Sequence, residues 1–134
     1  MQLLAILLML SALCFAADPA TSILRGKLGQ NGGKPVLELK DHKLIPLDGD
    51  EATRGVLKDK RLAGADLEAT GHFDKADVFV VDPIHTKALH VYHGATRHTI
   101  SYWCDVCSIR TYTPGICWCC QQDTALDLQE DNKK

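Results

Sequence analysis

The first sixteen residues, MQLLAILLMLSALCFA, contain no charged side chain. The chain also lacks an apolar run of the about 20 residues that a bilayer crossing needs, so this segment is too short for a transmembrane anchor. An apolar stretch closed by small residues predicts a secretory signal cut after Ala16, with Cys14 and Ala16 at the positions that call for small side chains. No basic residue precedes the stretch, which leaves the α-amino group as its positive charge. The alternative is acylation of Cys14, although Leu13 stands where a lipoprotein signal carries a small residue. The expected product is an exported chain of residues 17–134, periplasmic or extracellular, with no stable membrane anchor after signal cleavage.

An excess of either charge is also lacking. Lys plus Arg number 15 against 17 Asp plus Glu, a formal net charge of −2, so nothing argues for a partner held by phosphate contacts and no nucleic-acid partner is expected. Internal repeats and low-complexity tracts are absent. The glycines at Gly29, Gly32 and Gly33 are not followed by Gly-Lys-Ser/Thr, which excludes a phosphate loop. Asp48-Gly49-Asp50-Glu51 lacks the ligand rhythm and distal Glu of a calcium loop. Ser22, Ser101 and Ser108 sit in no nucleophile signature, so no catalytic residue is assigned. The length is one domain's worth.

What is present is a series of short strand patterns with turn signals between them. Thr21–Leu28, Pro35–Leu39 and Leu44–Leu47 read as strands separated by Gly-rich and Asp-rich turns. Glu51–Lys60 reads as a short helix capped by Asp50, with Val56 and Leu57 facing inward. Ala65–Phe73 and Val78–Val81 are the next strands. Three strands, a helix and two strands match the order of the OB barrel. Lys87–Tyr92 and Arg97–Trp103 read as a hairpin with a four-residue loop, His93–Thr96, and 123–128 as one more strand. The expected fold is mainly β: an OB-like barrel over 17–84, then a hairpin and cysteine-rich lobe over 85–128 packed on the barrel, then a frayed tail over 129–134.

After Cys14 there is no cysteine until Cys104; then five crowd into seventeen positions, ending at Cys120. Cys104/Cys107 and Cys117/Cys120 are both C-x-x-C pairs, and Thr113-Pro114-Gly115 lies between them as a chain reversal. Two such turns facing each other supply four thiolates at tetrahedral corners, the donor set of structural zinc. Iron, as a single ion or an iron–sulfur cluster, takes the same donors. Cys119 competes with Cys120 as an alternate ligand. Disulfides are the rival use in an oxidising compartment, but an odd number of cysteines leaves one thiol over. A thioredoxin-type redox pair is a further reading, without the α/β surroundings that motif normally has. No His follows either pair, which excludes covalent haem attachment.

Trp103, Tyr112 and Trp118 flank the cysteines and are expected to pack the lobe onto the barrel. His85, His90, His93 and His98 fall close together but match no metal-binding spacing, so surface histidines are expected there. Gly26-Lys27-Leu28, Val56–Asp59, Arg61–Gly64 and 102–120 give the chain a further likeness. On these residues it resembles small exported bacterial proteins that join an OB-like barrel to a C-terminal cysteine cluster; the resemblance implies architecture and not chemistry. Over 104–120 it also resembles zinc-ribbon and rubredoxin-like knuckles. Those usually carry Gly after their second cysteine, where Ser108 and Gln121 stand here. The function expected is a non-enzymatic metal-binding protein whose partner, a protein or a small ligand, the sequence does not name.

Overall fold

Alternation of apolar and polar side chains decides which face of each strand turns inward. In β4 (Asp66–Phe73) Leu67 and Ala69 are fully buried while the alternating Glu68 and Thr70 are not, the period-two pattern of a half-buried strand. The computed structural model describes residues 20–131; the expected signal over 1–16, Cys14 included, lies outside the described residues.

The first half of the chain closes a ring. β1 (Ser22–Asn31), β2 (Lys34–Glu38) and β3 (Leu44–Asp48) pair in sequence, β3 pairs with β5 (Phe79–Val81), β5 with β4, and β4 back with β1. The β3–β5 pairing is parallel and the others are antiparallel. This is a closed five-stranded barrel of OB type, as the order of elements predicts. Closure requires bends. β1 serves two partners, facing β4 over Ser22–Lys27 and β2 over Lys27–Asn31. At the changeover a side chain on Gly26 would run into the Glu38 carbonyl. Gly71 occupies the matching place on β4, where a Cβ would strike the Val80 carbonyl.

Helix α1 (Glu51–Leu57) links β3 to β4. Asp50 caps it by accepting the Thr53 N–H at 2.9 Å, and Val56 and Leu57 enter the core with no exposed surface. A 3₁₀ turn, Lys60–Leu62, follows.

The second half extends the barrel wall. β6 (Leu89–His93) pairs with the outer edge of β4, and β7 (Thr96–Cys104) pairs with β6. β9 (Ala125–Glu130) lies along the other edge of β7, and β8 (Ile109–Thr111) pairs with its end. Leu89, Val91, Ile100 and Tyr102 join the barrel's own apolar core. Arg61 ties the two halves together: it is paired with Asp59, donates to the Thr124 carbonyl at 2.8 Å and lies 5.2 Å over the Tyr102 ring.

Four details differ from the sequence expectation. The β6–β7 loop has two residues, not four, because His93 pairs with Thr96 and Gly94 takes the turn at φ 61°. A short helix, α2 (His85–Ala88), follows Ile84 in left-handed geometry. β8 is a separate strand inside the cysteine segment. The tail is not frayed over 129–131: Gln129 and Glu130 belong to β9, and the Asp131 carboxylate accepts from Arg97 at 2.7 Å and Thr99 at 2.6 Å. Residues 132–134 lie outside the described residues.

The bend at Gly71 yields a test. Gly71→Ala forces the β4–β5 backbones apart and is expected to cost about 1–3 kcal/mol, the range for overpacking. Urea denaturation should show a lower midpoint at unchanged slope, whereas Gly29→Ala, whose added carbon meets the Val36 side chain at an ordinary 3.8 Å, should shift it far less.

Candidate metal centre

Two hairpin tips converge at the end of β7. Cys104 is the last residue of that strand and pairs with Ile109 across the first tip. The second tip is closed by an Ile116–Asp123 bridge and by the Cys117 N–H donating to the Gln122 carbonyl at 2.7 Å. Thr124 fixes its base, with both N–H and hydroxyl donating to the Gly115 carbonyl. The two C-x-x-C pairs therefore sit at equivalent places on two hairpins.

Their backbones match in detail. In the first, the Cys107 N–H points at Cys104 Sγ at 3.5 Å. In the second, the Cys120 and Cys119 N–H groups point at Cys117 Sγ. The residue after each pair is left-handed, Ser108 at φ 53° and Gln121 at φ 63°. These are the positions where knuckles of this kind usually carry Gly. The left-handed turn is thus kept without the residue that adopts it most easily, at a cost of about 1–2 kcal/mol each.

The four sulfurs of Cys104, Cys107, Cys117 and Cys120 lie within 4.8 Å of one another. Cys104 and Cys120 are 3.5 Å apart. Tetrahedral thiolates about 2.3 Å from one ion stand about 3.8 Å from each other, whereas a disulfide needs about 2.05 Å. All five cysteines among the described residues are free, so the spacing is that of a shared centre and not of cross-links. Cys104 and Cys117 are buried, Cys107 and Cys120 partly so, and Cys119 is at the surface, outside the group of four.

Electrostatics within the cluster are uneven. The Cys120 and Cys119 N–H groups stabilise the Cys117 thiolate and bring its pKa down to about 7. Contact with the Cys119 thiol, then burial, then the Cys120 and Cys117 thiols push Cys107 up. Cys117 thus favours its thiolate while Cys107 resists ionisation; a bound cation would favour the thiolate at each sulfur.

The flanking side chains behave differently from expectation. Trp118 and Tyr112 do not pack the lobe onto the barrel: Trp118 is 73% exposed and Tyr112 43%. The middle of each tip, Val106 in one and Trp118 in the other, points to solvent while the clustered cysteines, Cys104 and Cys107 in one and Cys117 and Cys120 in the other, turn inward. Trp103 lies half-buried under Arg110, 4.9 Å from the guanidinium. Arg110 donates to Asp127 at 2.6 Å and to Ser101 at 2.7 Å, so it braces β7 against β9.

The histidines do not form one site. His85 meets the Tyr112 carbonyl at 2.6 Å, and the His93 and His98 rings meet at a tilt of 51° with centres 4.7 Å apart. His90 is not a surface residue: it is 6% exposed, its Nδ1 has no hydrogen-bond partner among the described residues, and Asp131 stands 3.8 Å from Nε2. Burial first, then Arg97, holds it below its ordinary range, partly offset by Asp131 and Glu68. No sequence pattern marks His90 as buried, and the charged groups that act on it, Arg97, Asp131 and Glu68, come from other parts of the chain. Away from the sulfurs, a groove of about 630 Å³ lies at the β1 bend, lined by Arg25, Lys27, Lys40 and His42 with Glu38 and Asp66.

No protein-family model, curated protein or solved structure matches this chain.

Two measurements check these points. Ser108→Gly and Gln121→Gly should each raise the unfolding free energy by up to about 1 kcal/mol, the strain relieved less the glycine's own entropy, read as a higher denaturation midpoint; a fall at both positions would contradict the left-handed turns. For His90 the folded state resists a proton that the unfolded chain accepts below about pH 6.5. Stability is therefore unaffected well above that pH and falls as the pH drops through it. The melting temperature of His90→Gln should depend less steeply on pH between about 7 and 5 than that of the parent chain.

Proposed function

We propose that this chain is an exported, non-enzymatic metal-binding protein in which Cys104, Cys107, Cys117 and Cys120 hold one zinc ion. The observation that carries the proposal is what residues 105–124 bury. Among them Cys117 and Thr124 alone are buried, and none of their apolar side chains belongs to the core. A segment of that length with no apolar interior lacks the usual means of offsetting its ordering entropy. Four convergent thiolates on an ion provide it, because metal binding to such sites is itself folding energy, about 10–16 kcal/mol for structural zinc. Closure of the set by four protein donors, with Cys119 left outside, fits a structural rather than a catalytic centre.

In this reading the ion staples the two tips, and Arg61 passes that order to the barrel. The chain then stands with small exported bacterial proteins that pair an OB-like barrel with a C-terminal cysteine cluster. A small ligand or a protein partner would meet the barrel at the groove beside Arg25 and Lys40. Iron is the rival ion for the same donors.

Native mass spectrometry before and after chelation tests this. The chain purified under reducing conditions should carry one zinc, and Cys117→Ser should carry far less. Chelation should abolish amide-exchange protection at Cys117 and Thr124 while Leu67 and Leu37 stay protected. A visible absorption band would replace zinc by iron. A metal-free protein with one titratable thiol, indifferent to chelator, would overturn the proposal in favour of disulfides.

A further inference from the structure

The turn end of the β6–β7 hairpin gathers two imidazoles and a carboxylate. His93 stands two residues beyond Val91 on β6, and Val91 pairs with His98 on β7, so both rings project from one face of the sheet. Glu130 on β9 is the direct partner of His98 and shares that face. The same face carries Val91 and Ile100 into the core, and the three residues sit where that core runs out to solvent. Val91 and Ile100 are buried, whereas His93 and Glu130 are exposed and His98 is half-buried. Asp131, the next residue, is taken by Arg97 and Thr99 on the opposite face.

The two rings stand at the separation that a shared ion requires. Their centres are 4.7 Å apart and their planes are inclined at 51°, which excludes a face-to-face stack. Two imidazoles on one ion, with each nitrogen about 2.0–2.1 Å from it and an angle of about 90–110° between them, have centres about 4.5–5.2 Å apart. A second observation concerns the tautomer. His98 Nδ1 lies 3.1 Å from the Thr96 carbonyl. A carbonyl only accepts, so Nδ1 carries the proton and the neutral ring presents its lone pair at Nε2. Metal-bound histidines commonly have their second nitrogen held by such an acceptor, which fixes the ring and leaves the other nitrogen for the ion.

We propose that His93, His98 and Glu130 form a second, open site for a divalent transition ion of the zinc class. Two imidazoles and a carboxylate are a donor set for such ions, and three protein donors leave a position for water or an added ligand. Among the described residues the four cysteines are the group whose donor atoms already converge within 4.8 Å. At the histidines the exposed Glu130 side chain completes the set by changing rotamer, a fast motion for a surface residue. Its exposure to water makes this an exchangeable site, unlike the closed set of sulfurs. His98 and Cys104 lie at opposite ends of β7, about 20 Å apart along the strand, so the two sites share no ligand and this one stands independently of the zinc staple.

The test titrates Zn²⁺ into the full chain by calorimetry, after the zinc carried from purification has been measured. The parent chain should take up one equivalent beyond the sulfur-bound ion. His93→Asn and His98→Asn should each weaken that step at least about tenfold, and Glu130→Gln should weaken it as well, with melting temperatures unchanged in the absence of added zinc. His42→Asn, at a ring that is 86% exposed elsewhere on the barrel, should leave it as it is. In nitrogen spectra of the imidazoles, His98 Nε2 should shift on adding zinc while Nδ1 keeps its proton. Absence of the extra equivalent, or its survival in both histidine variants, would overturn the site. An affinity unmoved by Glu130→Gln would overturn the three-donor centre. A chain purified without zinc overturns the sulfur staple and not this site, whose equivalent the histidine variants would still remove.

Discussion

The convergence of four sulfurs is the constraint on which the C-terminal third depends. The barrel has an apolar core that continues through Ile100 and Tyr102, skips residues 105–124 and is rejoined only by Leu126 and Leu128. Beyond Cys104 the chain makes two tight reversals with its apolar side chains outward, Val106, Ile116 and Trp118 among them. Sulfur takes the place that Leu and Val hold elsewhere, and it does so at spacings that suit a shared cation. Without that interaction the two tips have backbone hydrogen bonds and little else to hold them against conformational entropy.

The barrel contributes position. β7 is a long strand whose first half is fixed by β6 and whose flank is fixed by β9. Cys104 at its end is therefore set by a rigid element, while the second tip is fixed less directly, through Thr124 and the Arg61 hydrogen bond to its carbonyl. The Arg61–Asp59 pair gains part of its worth from shielding, because the Asp59 side chain is only 6% exposed. Surface ion pairs such as Arg25–Asp66, more than 40% exposed on both sides, contribute little by comparison.

Much of this was legible in the residues. The strand patterns of β1–β5, the Asp50 cap and the inward Val56 and Leu57 follow from local propensity and periodicity, and these agree with the fold. The two C-x-x-C pairs identify the four clustered thiols because that spacing turns both sulfurs to one side. The misses have physical reasons. α2 has one turn, no side-chain cap and a left-handed residue before it, so no helix signal exists. β8 is three residues long, none of them fully buried, and owes its strand geometry to β7. The contacts of Asp131 with Arg97 and Thr99 and its approach to His90 join distant parts of the chain, which no local pattern records.

The ring of the barrel is complete within 22–81, well before Cys104. A chain emerging amino-terminus first can shut that ring while its thiols are still unmade. The sulfur-bearing tips then arrive on a finished platform. Were the proposed ion held there, its capture would be the last act of assembly, and a shortage of metal would leave an intact cylinder carrying a loose, thiol-rich end.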